Sequence, residues 1–214
     1  MGEFETALHV EPASNGKPGA DRVLALTHGD ATVLVVADGA GNSRRGAEAA
    51  EAVLREVQDA VASGAGLERA DTWRAVLERC DAELVSSGQG GETTAVVACV
   101  TPRRVVGASV GDSELWWFQG QGCHALTQHQ HRKPLLGSGG ARPVTFEHAW
   151  RGGTLLGASD GLFKYVDLRR IQEQVGLADV QAVALALAAL PRLASGALPD
   201  DVGLVLCRPS VSRS

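Results

Sequence analysis

Val33-Leu34-Val35-Val36-Ala37-Asp38-Gly39-Ala40-Gly41 is an apolar run that stops at a carboxylate followed by glycines. Its β-branched residues describe a buried strand, and the glycines let the chain turn with backbone carbonyls and amides open to a ligand. On the N-terminal side, Asp21 opens a second strand over 22–27, and His28-Gly29-Asp30-Ala31 supplies a tight turn. With Gly29 and Asp30 at the centre of that turn, the register places Asp21 directly across from Asp38. Like charges opposite each other in a ladder are destabilising unless a positive charge lies between them, so the pair calls for a cation.

The 214 residues suit one domain with a real core. We divide them into a lead-in over 1–12, the domain over 13–207 and a flexible tail over 208–214. A formal net charge of −5 gives no basic footprint for nucleic acid. Cys80, Cys99, Cys123 and Cys207 show no CxxC pairing and read as reduced, buried thiols of a cytoplasmic protein. There is no signal-peptide core, and the longest helical apolar run, 182–190, is too short for a bilayer, so no membrane association is expected. The opening Met1-Gly2 fits the loose myristoylation pattern, but charge so close to Gly2 speaks against it.

Downstream of Gly41, Asn42 and Ser43 are caps for a helix over 44–62 that carries Ala47, Ala50, Val53, Leu54, Val57 and Val61 on one face. A second amphipathic helix over 67–85 ends at the glycines of 88–91. Strands follow over 93–100 and 105–110, and a turn centred on Pro102-Arg103 sets Thr93 opposite Asp112. Two more strands, 114–119 and 124–127, complete a four-strand meander. The stretch 128–140 is a polar loop, in which His129-x-His131 reads as a solvated pair, and Arg132 and Lys133 as surface cations or contacts for a substrate anion. Strands over 143–150 and 154–159 lead to Asp160-Gly161, which repeats the pattern of the opening stretch. Helices over 168–174 and 178–190 precede Asp200-Asp201, which opens the last strand, 202–207.

Asp21, Asp38, Asp112, Asp160 and Asp200 or Asp201 each stand where an apolar strand meets a loop. Five carboxylates without a matching His or Cys set describe an oxygen-ligand site for Mg²⁺ or Mn²⁺, and more acids than one ion needs suggest two. Two such ions suit hydrolysis of a phosphate ester.

These blocks resemble the metal-dependent Ser/Thr protein phosphatases of the 2C type, in the short bacterial form. The likeness rests on Asp21-Arg22-Val23, Ala37-Asp38-Gly39-Ala40-Gly41 with Gly46-Ala47-Glu48, Gly91-Glu92-Thr93-Thr94-Ala95-Val96-Val97, Gly107-Ala108-Ser109-Val110-Gly111-Asp112-Ser113, Leu126-Thr127, Ala158-Ser159-Asp160-Gly161-Leu162 and Asp200-Asp201, in that order. The resemblance implies an α+β fold, an α-β-β-α sandwich of two packed antiparallel sheets flanked by helices. It implies hydrolysis of phosphoserine and phosphothreonine in proteins by water activated at a binuclear Mn²⁺ or Mg²⁺ centre. Asp38 would bridge both ions, Gly39 would offer its carbonyl, Asp160 and Asp200 would bind one ion, Asp21 would hold water around the other, and Asp112 would serve a looser third. Asp38 and Asp160 are the residues on which catalysis would rest. The substrates implied are phosphoproteins made by a cognate Ser/Thr kinase.

The chain departs from that pattern in several places. Ala20 stands where the family has an acid, and Ala40 where some members have a His. The phosphate-binding Arg is missing, and Lys17 is the nearest cation to its place, a point charge instead of a bidentate fork. The segment between Thr127 and Asp160 leaves little room for the family's flap. These departures keep open a second reading, a catalytically weak or inactive module that binds phosphoproteins. A third is a sandwich that calcium merely stabilises.

Overall fold

The computed structural model describes residues 3–40, 44–88 and 90–210. In chain order the elements are β1 (Phe4–Glu11), β2 (Asp21–His28), β3 (Ala31–Asp38), α1 (Arg44–Ser63), α2 (Ala70–Ser86), β4 (Ala95–Val100), β5 (Arg104–Val110), β6 (Glu114–Gln119), β7 (Gly122–Ala125), β8 (Val144–Ala149), β9 (Thr154–Ala158), α3 (Asp160–Phe163), α4 (Leu168–Val175), α5 (Val180–Ala189) and β10 (Val202–Pro209). Two five-stranded antiparallel sheets result, with strand orders β1-β10-β9-β6-β7 and β2-β3-β4-β5-β8.

The opening run explains the layering. Alternate side chains of a strand point to opposite faces, so a strand that is apolar at every position needs cover on both. In β3, Val33, Val35 and Ala37 pack in one cluster with Val53, Val57, Trp73 and Leu77 of α1 and α2. Leu34 and Val36 pack in another with Leu155 and Val205 of the facing sheet. A third cluster joins Leu156, Leu204 and Leu206 on the far face of that sheet to Ile171, Val183 and Leu187 of α4 and α5. The α-β-β-α sandwich follows from these three apolar layers, each fully buried Val or Leu contributing about 1.5–3 kcal/mol.

Register holds where tight turns fix it. Asp21 pairs with Asp38 along the full β2–β3 ladder. The turn at Pro102-Arg103 sets β4 against β5 from Val100↔Val105 to Ala95↔Val110. It does not carry on to Thr93 and Asp112, because Gly111 takes a left-handed backbone (φ 101°) that ends the ladder. Thr93 instead bridges Gly39 and Leu136. After that turn the chain crosses to the other sheet, so β6 and β7 do not extend a meander from β4 and β5.

The ends of the chain also differ from expectation. Part of the segment over 1–12 is β1, paired with β10 from Phe4↔Pro209 to Glu11↔Val202. Arg208 and Pro209 accordingly belong to a strand and not to a tail. The four-residue α3, beginning at Asp160 itself, was not expected from the sequence. Asp167 precedes α4 without a side-chain capping bond, whereas Asp179 caps α5 by accepting from the amides of Gln181 and Ala182. Asn42 and Ser43, expected as caps of α1, lie outside the described residues, as do Gly2 and Gly41.

All four cysteines are free. Burial pushes the thiols of Cys80, Cys99 and Cys207 up to about 12. No helix among the described residues is long and apolar enough to cross a membrane.

Candidate active site

The acids gather at one end of the sandwich, on the seam between the two sheets. A cleft of about 390 Å³ there is lined by Asp21, Asp38, Gly39, Asp112, Asp160, Asp200 and Asp201, and also by Thr94, Arg132 and Lys133. Asp21 and Asp38 come from β2 and β3 of one sheet. Asp160 and Asp200 follow β9 and precede β10 of the other. Asp112 sits where the chain passes between the sheets.

Asp38 is set by its backbone. Its amide donates to Thr94 Oγ1 (3.1 Å), and its carbonyl accepts from the Thr94 amide (2.9 Å) and from Thr93 Oγ1 (2.9 Å). Thr94 Oγ1 lies 2.6 Å from the buried Ser113 Oγ. The Thr93-Thr94 block therefore fixes the end of β3 at the cleft. Gly39 packs backbone to backbone on α1, where a Cβ would lie 2.3 Å from the carbonyl carbon of Gly46. The pair Gly39 and Gly46 is thus a close crossing that tolerates no side chain.

Asp21 is 1% exposed and is held from the other sheet, Ser159 Oγ donating to its Oδ2 at 2.6 Å. Its Oδ1 is buried and has no hydrogen-bond partner among the described residues. Burial foremost pushes the Asp38 carboxyl up to about 9, and the charges of Asp21 and Asp160 add to it. Asp21 rises to about 7, again chiefly through burial, with the Ser159 bond opposing. Asp160 is raised by burial and by Asp112 and Asp200, while Lys164 and Arg132 oppose the rise. Lys164 Nζ lies 3.5 Å from Asp200 Oδ2 and 3.9 Å from Asp160 Oδ2.

This donor set suits a divalent cation bound through oxygen. An unpartnered buried carboxylate oxygen and several acids that burial drives toward protonation are features that a bound positive charge would satisfy. Among the described residues no group of three or more His, Cys, Asp or Glu side chains is drawn together closely enough to hold a metal ion by itself. The acids line an open cleft, an arrangement compatible with ions that keep much of their water.

Asp200 and Asp201, left as alternatives by the sequence, have different tasks. Asp201 turns inward, its Oδ1 accepting from the Ala13 amide and its Oδ2 from the Ala20 amide, both at 2.7 Å. It ties the connection between β1 and β2 to the mouth of β10. Its neighbour Gly161 makes this possible, since a Cβ there would lie 1.8 Å from the Asp201 carbonyl oxygen. Asp201→Ala strands two buried amides, each at a cost of about 1–3 kcal/mol. The expected result is a lowered urea midpoint at unchanged slope, with Asp201→Asn losing less.

Sequence reasoning also missed Ser159, Asp81 and the course of the loop over 128–140. Asp81, buried on α2, accepts from the amides of Gly137 (2.7 Å), Gly139 (3.0 Å) and Ala141 (3.2 Å). The Gly111 amide donates to the His131 carbonyl, and Thr93 and Leu136 exchange two backbone bonds. So pinned, the loop carries Arg132 and Lys133 to the cleft, with Arg132 Nε 4.0 Å from Asp112 Oδ2. Lys17, the expected phosphate contact, is exposed on the loop before β2 and does not line the cleft. The signal available was the glycine-rich run Gly137-Ser138-Gly139-Gly140, in which the Gly137 and Gly139 amides, with that of Ala141, form a cradle for a carboxylate.

The fold has close counterparts among solved structures. A bacterial serine phosphatase superposes with a TM-score of 0.85 at 20% identity, over 99% of this chain and 100% of that one. Serine/threonine phosphatase Stp1 from Staphylococcus aureus gives 0.84 at 19% identity, over 97% and 96%. The catalytic domain of the phosphatase PstP, in complex with two manganese ions, gives 0.84 at 19% identity, over 96% and 97%. At these identities the likeness is one of fold. No curated protein sequence matches. Residues 11–134, more than half of the chain, match the family model of protein phosphatase 2C, and the chain belongs to that family of phosphoprotein phosphatases.

Proposed function

We propose that this protein hydrolyses phosphoserine and phosphothreonine in protein substrates and that its cleft acids hold two Mn²⁺ or Mg²⁺ ions. The observation that carries the reading is the facing pair of buried Asp21 and half-buried Asp38, with an orphaned carboxylate oxygen on Asp21, beside Asp160, Asp112 and Asp200. Asp38 would be shared by the two ions, with the Gly39 carbonyl beside it. Asp160 and Asp200 would hold one ion, Asp21 would order water around the other, and Asp112 would serve a looser third. Bound divalent ions supply charge neutralisation for a phosphoryl group and a more acidic water.

The chain's own residues then position the substrate. Arg132 replaces Lys17 as the phosphate contact we favour, since its guanidinium lines the cleft and can grip an anion through two donors. Ala40 holds no proton, so the departing serine or threonine oxygen draws its proton from solvent in the open cleft. The substrates are the products of a Ser/Thr kinase.

One observation favours the second reading, a phosphoprotein-binding module without turnover. The Lys164 ammonium beside Asp160 and Asp200 offers those acids a built-in countercharge. Hydrolysis of a phosphothreonine peptide with Mn²⁺, Mg²⁺ or EDTA decides between them. We expect turnover with either metal and none in EDTA; peptide binding without turnover in every condition would establish the module instead. In the same assay Arg132→Ala is expected to raise KM about tenfold with little change in kcat, as loss of a charged phosphate contact should. Lys17→Ala should leave both parameters unchanged.

A further inference from the structure

We infer that Lys164 is a tethered rival for the ion of Asp160 and Asp200 and so sets how much divalent metal the protein needs; the inference rests on the two-ion reading above. The local backbone builds the contact. Asp160 opens the single turn of α3, and the Lys164 amide donates to the Asp160 carbonyl at 2.8 Å, which puts both side chains on one side of that turn. α3 lies hard against the start of β10, because Gly161 has no side chain and a Cβ there would lie 1.8 Å from the Asp201 carbonyl oxygen. Asp200 is thereby brought beside Asp160, and one ammonium reaches both. Lys164 Nζ is 3.5 Å from Asp200 Oδ2 and 3.9 Å from Asp160 Oδ2. It also lies 5.3 Å from the centroid of the Tyr165 ring, whose face attracts a cation.

Two cations thus compete for the same oxygen atoms. A hard divalent ion needs its carboxylate oxygens at about 2.1 Å, and an ammonium seated on those acids repels it. Each occupant weakens the other by the same factor. The contest is one that metal can win. The Lys164 side chain is 54% exposed, so its two ion pairs are individually weak, and its flexible stem lets the ammonium swing out into solvent. Elsewhere in the cleft the Asp21 Oδ1 has no hydrogen-bond partner among the described residues, so the handicap falls on one ion and not on the other. The outcome is a protein that holds one ion firmly and takes the second only when Mn²⁺ or Mg²⁺ is plentiful.

The test is calorimetric titration of Mn²⁺ into the full chain, without substrate and at low ionic strength, for the parent protein, Lys164→Met, Lys164→Arg and Asp38→Asn. Methionine keeps most of the stem and loses the charge, whereas arginine keeps the charge. Lys164→Met is expected to bind its weaker Mn²⁺ ion about fivefold or more tightly than the parent does, and Lys164→Arg to stay within about twofold of the parent. Unchanged or weaker affinity in Lys164→Met, or an equal gain in Lys164→Arg, overturns the inference and leaves the two-ion reading standing. Parent binding that Asp38→Asn leaves untouched, or no Mn²⁺ bound by any of the four proteins, overturns both.

Discussion

Asp38→Asn is expected to lower hydrolysis of a phosphothreonine peptide by about a thousandfold or more while raising the melting temperature of the metal-free protein. The first effect follows from the shared position proposed for this carboxylate, whose removal weakens the hold on both ions together. The second follows from burial. Asp38 and Asp21 face each other at the end of one ladder, and neither can be charged there without cost. Asparagine keeps the shape and is neutral without the proton that the buried aspartate must take up at pH 8. Peptide turnover and a thermal melt in EDTA at pH 8 check both halves. Activity within tenfold of the parent protein would remove Asp38 from the centre of the site, and a lower melting temperature in EDTA would show that the pair is not under electrostatic strain.

Mn²⁺ is expected to stabilise the parent protein strongly at pH 8 and hardly at all at pH 5. The ordinary value for both carboxyls is 3.8, and in the metal-free fold Asp21 rises to about 7 and Asp38 to about 9. Groups raised in this way bind more protons folded than unfolded, so their contribution is intact below the ordinary value and is lost as pH climbs through the raised one. The metal-free protein should therefore melt at progressively lower temperature between about pH 4 and pH 9. A divalent ion takes the place of those protons and needs the acids ionised. At a hundredfold excess over its Kd one bound ion contributes about 2.7 kcal/mol, or about 5–10 °C for a domain of this size. Thermal melts across pH with and without Mn²⁺ make the measurement. A metal-induced shift of equal size at pH 5 and pH 8 would contradict the assignment of these acids as ligands.

What the sequence revealed was mostly local. The facing of Asp21 and Asp38 was legible because a two-residue turn at Gly29-Asp30 fixes register over the whole hairpin. The same arithmetic failed for Thr93 and Asp112 because it assumes an unbroken ladder, and Gly111 bends the chain out of it. β1 was hidden by its place at a sheet edge. Only Ala7 of its eight residues is fully buried, and its partner β10 lies at the other end of the chain. Lys17 is the cation nearest in sequence to the place of the family's missing Arg, but the cations that reach the cleft arrive on a loop pinned by Asp81, whose amide partners begin 56 residues later. Asp200 and Asp201 look alike in a string of letters. Both line the cleft, and only the position of the Ala13 and Ala20 amides makes Asp201 an anchor as well.

The acid cleft lies on the seam between the sheets, and that makes it a gauge of shear. Asp21 and Asp38 ride on one layer and Asp160 and Asp200 on the other, and the Asp201 bond to Ala20 and the Ser159 bond to Asp21 act as rivets across the joint. Any slip of one sheet over the other moves the two halves apart before it unfolds anything. Small changes in the apolar filling between the layers, at Leu34, Val36, Leu155 or Val205, therefore register first as altered spacing of the carboxylates, far from the site of the change.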